Sequence, residues 1–161
     1  MSAAPRRTTA LAVAAGLSLV AVGVALWTQY ALDMQPCAWC VLQRLIFVAI
    51  ALAALPGLVW RRGFVQWLSA LLILALGVAG VASALWQHYV AAATSSCTLT
   101  LADRIVSGLK LDAWLPDIFQ PRASCADAAV RLWGLSYEFW SLALFMLLSV
   151  MALRLLLRRP R

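Results

Sequence analysis

Charge is what this sequence has least of. Only 12% of its 161 residues are charged, with six acids and a single histidine, where an ordinary soluble domain carries about a quarter. That scarcity excludes a soluble enzyme. No internal repeat or low-complexity tract is present. With so few acids and one histidine, the four cysteines are the obvious reactive inventory.

What the chain has in abundance is apolar surface: 65% of residues are apolar and the mean hydropathy is +0.90. A bilayer core about 30 Å thick takes about 20 apolar residues per helix, so the length allows at most about four or five crossings. No room remains for a second, water-soluble domain. The net charge of +7 looks at first like a nucleic-acid signal, but the basic residues sit between apolar runs and read as topology markers. No nucleic-acid partner is expected; the lipid bilayer is.

Four stretches are long enough to span: Thr8–Tyr30, Cys40–Trp60 with Arg44 inside it, Phe64–Tyr89, and Tyr137–Leu157. They must be helices, because lipid offers no partner to unpaired backbone groups. The first run is longer than a signal-peptide core and no small-residue cleavage site follows it, so it reads as a span rather than a leader. The expected fold is an all-α membrane protein, one integral domain over residues 1–161. It is a four-transmembrane-helix bundle with periplasmic loops near 31–39 and 90–136, the longer one carrying a short interfacial helix.

The basic residues set the orientation. Arg6 and Arg7 precede the first span, Arg61 and Arg62 join the second and third, and Arg154, Arg158, Arg159 and Arg161 close the chain, with no acid beside them. The longer loop instead balances Arg104, Lys110, Arg122 and Arg131 against Asp103, Asp112, Asp117 and Asp127. The positive-inside rule puts both termini in the cytoplasm and all four cysteines outside, where disulfides persist. Within the long loop, Leu111, Trp114, Leu115, Ile118 and Phe119 recur at helical spacing. They give a short helix one apolar face, kinked or broken at Pro116. It either lies in the headgroup layer or packs on the bundle.

The stretch Pro36-Cys37-Ala38-Trp39-Cys40, followed by Arg44, is the most informative. Its paired cysteines stand where a loop enters the second span, and the positive end of a helix favours a thiolate. Arg44 falls one turn deeper on the same face as Cys40. It either faces a partner inside the bundle, such as a thiolate or a quinone carbonyl, or snorkels to the headgroups. Cys97 and Cys125 close a loop long enough for a disulfide to stabilise by roughly 3–4 kcal/mol, so a structural staple is one reading of that pair. A relay of exchange reactions between the two pairs is the other. The wide spacing of Cys97 and Cys125 argues against zinc. His88 ends the third span on the outer side, either as an interfacial histidine or as an aid to proton transfer. Trp27, Trp60, Trp86 and Trp140 mark span ends, as an interfacial belt does.

These residues, together with Leu111–Phe119, Ser124-Cys125-Ala126 and Trp133-Gly134-Leu135, resemble the bacterial disulfide bond formation protein B (DsbB) family over nearly the whole chain. Cysteine order separates it from the similar bundle of the vitamin K epoxide reductase family, whose loop cysteines come before the paired ones. The resemblance implies a quinone-dependent thiol oxidase of the inner membrane that reoxidises a periplasmic DsbA-like dithiol oxidase. It implies that Cys97 accepts attack from that partner, that Cys125 then attacks Cys37, and that Cys40 is freed beside the quinone. Arg44 would hold the quinone or steady the Cys40 thiolate, with His88 as a further quinone-site residue. The quinone, ubiquinone or menaquinone, would leave as quinol. Ala38 and Trp39 differ from the family's commonest pair, a change that can tune the potential. The alternative is a disulfide-stapled accessory membrane protein without redox turnover.

Overall fold

A computed structural model describes residues 3–91, 100–127, 131–132 and 134–157. Cys97, Trp133, Arg158, Arg159 and Arg161 lie outside the described residues. Four long helices dominate: α1 (Ala3–Ala31), α2 (Ala38–Trp60), α3 (Gly63–Trp86) and α7 (Tyr137–Leu157). α3 runs on through Ala91 as a wide π-type turn, Gln87–Ala91. All four are long and apolar enough to cross a bilayer. The four-helix bundle expected from the hydropathy is therefore observed, with α1 beginning at Ala3 rather than Thr8 and the third span reaching Ala91 rather than Tyr89.

The turns between spans follow from local chemistry. Arg61 ends α2 in the left-handed region (φ 45°), and Arg62 in extended backbone opens α3, so the two exposed arginines make a tight reversal. At the other end of α2, Pro36 keeps the preceding chain extended, and Cys37 takes the N-cap position with φ −84° and ψ 171°. Its sulfur accepts the Cys40 backbone N–H at 3.4 Å, replacing the oxygen that a serine or aspartate would supply there.

α2 is the central helix, packed on α1 and α3, while α3 packs on α7. Near the Arg61 end, a Cβ on Gly57 would meet Leu11 Cδ1 and Ser69 Oγ, so glycine lets three helices converge. Gln66 Nε2 donates there to Thr8 Oγ1 (3.2 Å) and the Gly57 carbonyl (3.4 Å). Between α3 and α7, Gly80 leaves room for the ring of Phe145, which is fully buried and stacks on Phe47 at 4.1 Å.

The segment between α3 and α7 is richer than its sequence periodicity suggests. It holds α4 (Leu101–Gly108), α5 (Leu111–Trp114) and α6 (Pro116–Phe119). Thr100 and Asp103 cap α4 reciprocally, a signature present in the sequence. The helix expected over Leu111–Phe119 is broken at Leu115, because Pro116 starts a new turn. The break splits the apolar face. Phe119 and Val106 bury against Val41 of α2, with Leu111 and Ile118 beside them, while Trp114 stays 80% exposed. Part of the segment thus packs on the bundle and part faces outward. A two-residue antiparallel ladder, β1 (Arg131–Leu132) with β2 (Leu135–Ser136), turns at Gly134 (φ 82°) and runs straight into α7.

Candidate functional site

The amino end of α2 gathers sulfur. Cys37 is fully buried, and its Sγ lies 2.9 Å from that of Cys40, unbonded. The loop returning from α6 is tied down by two backbone bonds, Arg122 N–H (2.9 Å) and Ala123 N–H (3.3 Å) donating to the Pro36 carbonyl. Ser124 Oγ then accepts the Asp127 N–H and closes the turn that carries Cys125. These anchors pack Cys125 against the buried cluster that holds Cys37 and Trp39, with Cys40 beside it. Cys125, Cys37 and Cys40 are thereby gathered together. The proton belongs on Cys37. Its neighbours Cys125 and then Cys40, together with burial, push that thiol far above the ordinary range. Cys37 in turn draws Cys125 below it.

Arg44 lies one turn deeper and is only 6% exposed. One guanidinium nitrogen donates to Gln29 Oε1 (2.7 Å) and the Ile118 carbonyl (3.1 Å), and the other to the Ala25 carbonyl (3.1 Å). Of the two orientations open to it, the side chain takes the inward one and ties α1 and α6 to α2. Cys40 has its own donor: Gln87 Nε2 approaches its sulfur at 3.3 Å. Gln43 Nε2 donates to Gln87 Oε1 at 2.7 Å, so the Gln87 amide must turn its NH₂ toward the sulfur.

Cys40, Gln43, Arg44 and Gln87 share one end of a cavity of about 720 Å³ in the gap between α1 and α7. The remaining wall is aliphatic, from residues such as Leu17, Val20, Val24 and Leu147. His88 does not line the cavity. Its Nδ1 stands 2.8 Å from Glu138 Oε1, and Glu138 does line it. Glu138 is the one acid within the four spans, a signal that marks function in membrane helices and that hydropathy alone passes over. The glutamines Gln29, Gln43 and Gln87 were equally invisible to a search for ionisable groups. Arg44 and Cys40 are thus brought together at the cavity, Cys37 and Cys125 stand behind them, and Cys97 lies outside the described residues.

The family model for "Disulfide bond formation protein DsbB" matches residues 6–155. The chain belongs to the DsbB family. Similar proteins carry the matching name. Disulfide bond formation protein B of Aromatoleum aromaticum is 36% identical over 92% of this chain and 89% of its own length. Disulfide bond formation protein B 1 of Pseudomonas syringae pv. syringae is 34% identical over 90% and 86%. That of Cupriavidus metallidurans is 30% identical over 90% and 89%. As a DsbB-family member, this chain is a multi-pass membrane protein of disulfide bond formation.

Proposed function

We propose that this chain is a thiol:quinone oxidoreductase that reoxidises a DsbA-like dithiol oxidase at the periplasmic face of the inner membrane. The observation carrying this reading is that Cys40 opens onto the same apolar cavity as the buried Arg44, while Cys37 Sγ lies 2.9 Å behind the Cys40 sulfur and Cys125 packs in the same cluster. In the resting oxidised enzyme, Cys97 pairs with Cys125 and Cys37 with Cys40. A thiolate of the reduced partner attacks Cys97, forming a mixed disulfide and releasing Cys125. The second thiolate of the partner displaces Cys97, so the partner leaves oxidised. The Cys125 thiolate attacks the Cys37 sulfur and frees Cys40 as the thiolate that carries the electron pair. Once that pair has left, Cys37 and Cys40 rejoin as Cys97 reclaims Cys125.

The residues present fit a quinone. The cavity wall is aliphatic enough for an isoprenoid tail, and its polar end offers donors from Arg44 and Gln87 for a carbonyl oxygen. Quinone, when bound, supplies a two-electron, two-proton acceptor. Gln87 and the amino end of α2 stabilise negative charge on Cys40, and Arg44 orients the acceptor against it. The arginine distribution along the chain supports termini in the cytoplasm and cysteines in the periplasm.

The test uses purified protein, a reduced periplasmic dithiol oxidase and a short-tailed benzoquinone. Quinone loss is expected to match dithiol oxidation one for one. Cys125→Ser is expected to abolish turnover, because it leaves Cys97 without the disulfide that the partner thiolate attacks. Absence of quinone-dependent oxidation in the unaltered protein, or turnover that survives Cys125→Ser or Cys97→Ser, would overturn the proposal.

A further inference from the structure

Among the described residues, the acid Glu138 is the one buried carboxylate whose bonding is incomplete. It is 4% exposed and forms part of the cavity wall. Oε1 is occupied by His88 Nδ1 at 2.8 Å, while the buried Oε2 has no partner among the described residues. His88 is 32% exposed, and its ring is steadied by Tyr89 (4.9 Å, edge-on) and Phe139 (4.6 Å). One carboxylate oxygen therefore meets a half-exposed imidazole, and the other meets an apolar cavity. If the pair served only to pin α3 to α7, burying an unsatisfied carboxylate oxygen would carry a cost with nothing in return.

We propose that His88 and Glu138 form a proton path from the aqueous rim into the cavity, with Glu138 Oε2 as the delivering atom. The inference rests on the quinone-linked reading above. Dithiol and quinone become disulfide and quinol, so each turnover moves two electrons and two protons. The electron pair travels from sulfur to sulfur. The protons cannot follow it, because thiol–disulfide exchange passes electrons through thiolates and leaves the partner's protons at the water-exposed end. Two protons must re-enter at the cavity. In each transfer, Oε2 gives up its proton to the acceptor oxygen as Oε1 receives one from His88 Nδ1, and the imidazole takes a replacement from water at Nε2. Before the second transfer the carboxyl group turns over, and the half-exposed imidazole exchanges with water back to its Nδ1–H tautomer, which restores the donor. The cavity also holds Cys40 and Arg44 from α2 and Tyr137 from α7. None of them occupies Oε2.

Two variants and two readouts test the path. Glu138→Gln keeps the shape and can still accept from His88, and His88→Gln leaves the carboxyl in place. Each is expected to slow reduction of a short-tailed benzoquinone by roughly 100-fold, the scale of a lost acid–base group. Each should leave unchanged the single-turnover oxidation of the partner dithiol by quinone-free protein. In quinone-free protein, the infrared carboxyl band lost in Glu138→Gln should exchange in heavy water at least about tenfold more slowly in His88→Gln. If Glu138→Gln does not fold, His88→Gln carries the same test. Quinone reduction at the normal rate in the variants, or carboxyl exchange indifferent to His88, would overturn the path. Failure of the unaltered protein to reduce quinone would instead overturn the parent reading, and the exchange measurement still decides whether the path exists.

Discussion

The seam between α3 and α7 and the seam between α1 and α7 are made from the same apolar residues, and one is shut while the other stands open. On the shut side, a glycine faces a large ring: Gly80 admits Phe145, which then stacks on Phe47. On the open side, branched side chains face each other, Val20 and Val24 of α1 against Leu144 and Leu147 of α7, and the helices stay apart around about 720 Å³. Lipid tails are as apolar as leucine, so burial alone does not draw membrane helices together; shape does. A small residue opposite a large one closes a seam. Large opposite large leaves a gap, and here that gap is lined at one end by Cys40, Arg44 and Glu138.

The largest test of this contrast is on the shut side. Phe145→Ala removes the ring that fills the Gly80 notch and leaves Phe47 without its stacking partner. With a cavity left behind and little transfer energy to lose in lipid, the expected loss of stability is about 2–4 kcal/mol. It should be read as a lower midpoint in detergent-based unfolding. Partner oxidation by the folded fraction should not change. A midpoint equal to that of the unaltered protein would show that the seam is held by something other than this ring.

On the open side the expectation reverses. Leu147 is about half exposed on α7 and lines the cavity, so Leu147→Trp should fill space there without disturbing the core. The KM for a short-tailed benzoquinone should rise about tenfold, the scale of a few lost contacts in an apolar pocket, with the unfolding midpoint unaltered. A variant with normal quinone kinetics would remove the α1–α7 gap as the quinone site.

The difference between the seams also explains what could be read from sequence. The spans were legible because a bilayer demands long uncharged runs, and the cysteine end because Cys37 and Cys40 sit just where a loop enters one of those runs. Glycine notches were not legible, since Gly80 has meaning only once Phe145 lies opposite it. The polar groups around the sulfurs escaped for a related reason. Gln43 and Gln87 carry no charge to flag them, and their hydrogen bond joins two helices far apart in the chain. His88 was placed at the outer rim by its position at the end of a span, but its partner Glu138 comes from α7, which no local pattern connects to it. The capping pair Thr100 and Asp103 was in plain view and points to α4, which hydropathy masks within a mixed loop.

The smallest effect concerns the sulfurs themselves, at the end of α2 where both seams meet the loop. Cys125 is held below the ordinary thiol range mainly by its neighbour Cys37, against burial and the nearby Cys40 and Asp103, which push the other way. A depressed thiol carries more anion at any given pH, so alkylation of Cys125 in fully reduced protein should climb through its midpoint at lower pH than an ordinary cysteine. Cys37, held as the proton donor, should remain unlabelled across the same range. Cys37→Ala removes the neighbour that lowers Cys125 most, so the midpoint should move upward. Cys37→Ser, which still offers a hydroxyl proton, should move it less. Mass spectrometry of iodoacetamide adducts against pH measures all three. Superimposable profiles for Cys125 in the three proteins would mean that Cys37 does not set its reactivity, and that the nucleophile of the internal exchange is prepared by the helix end alone.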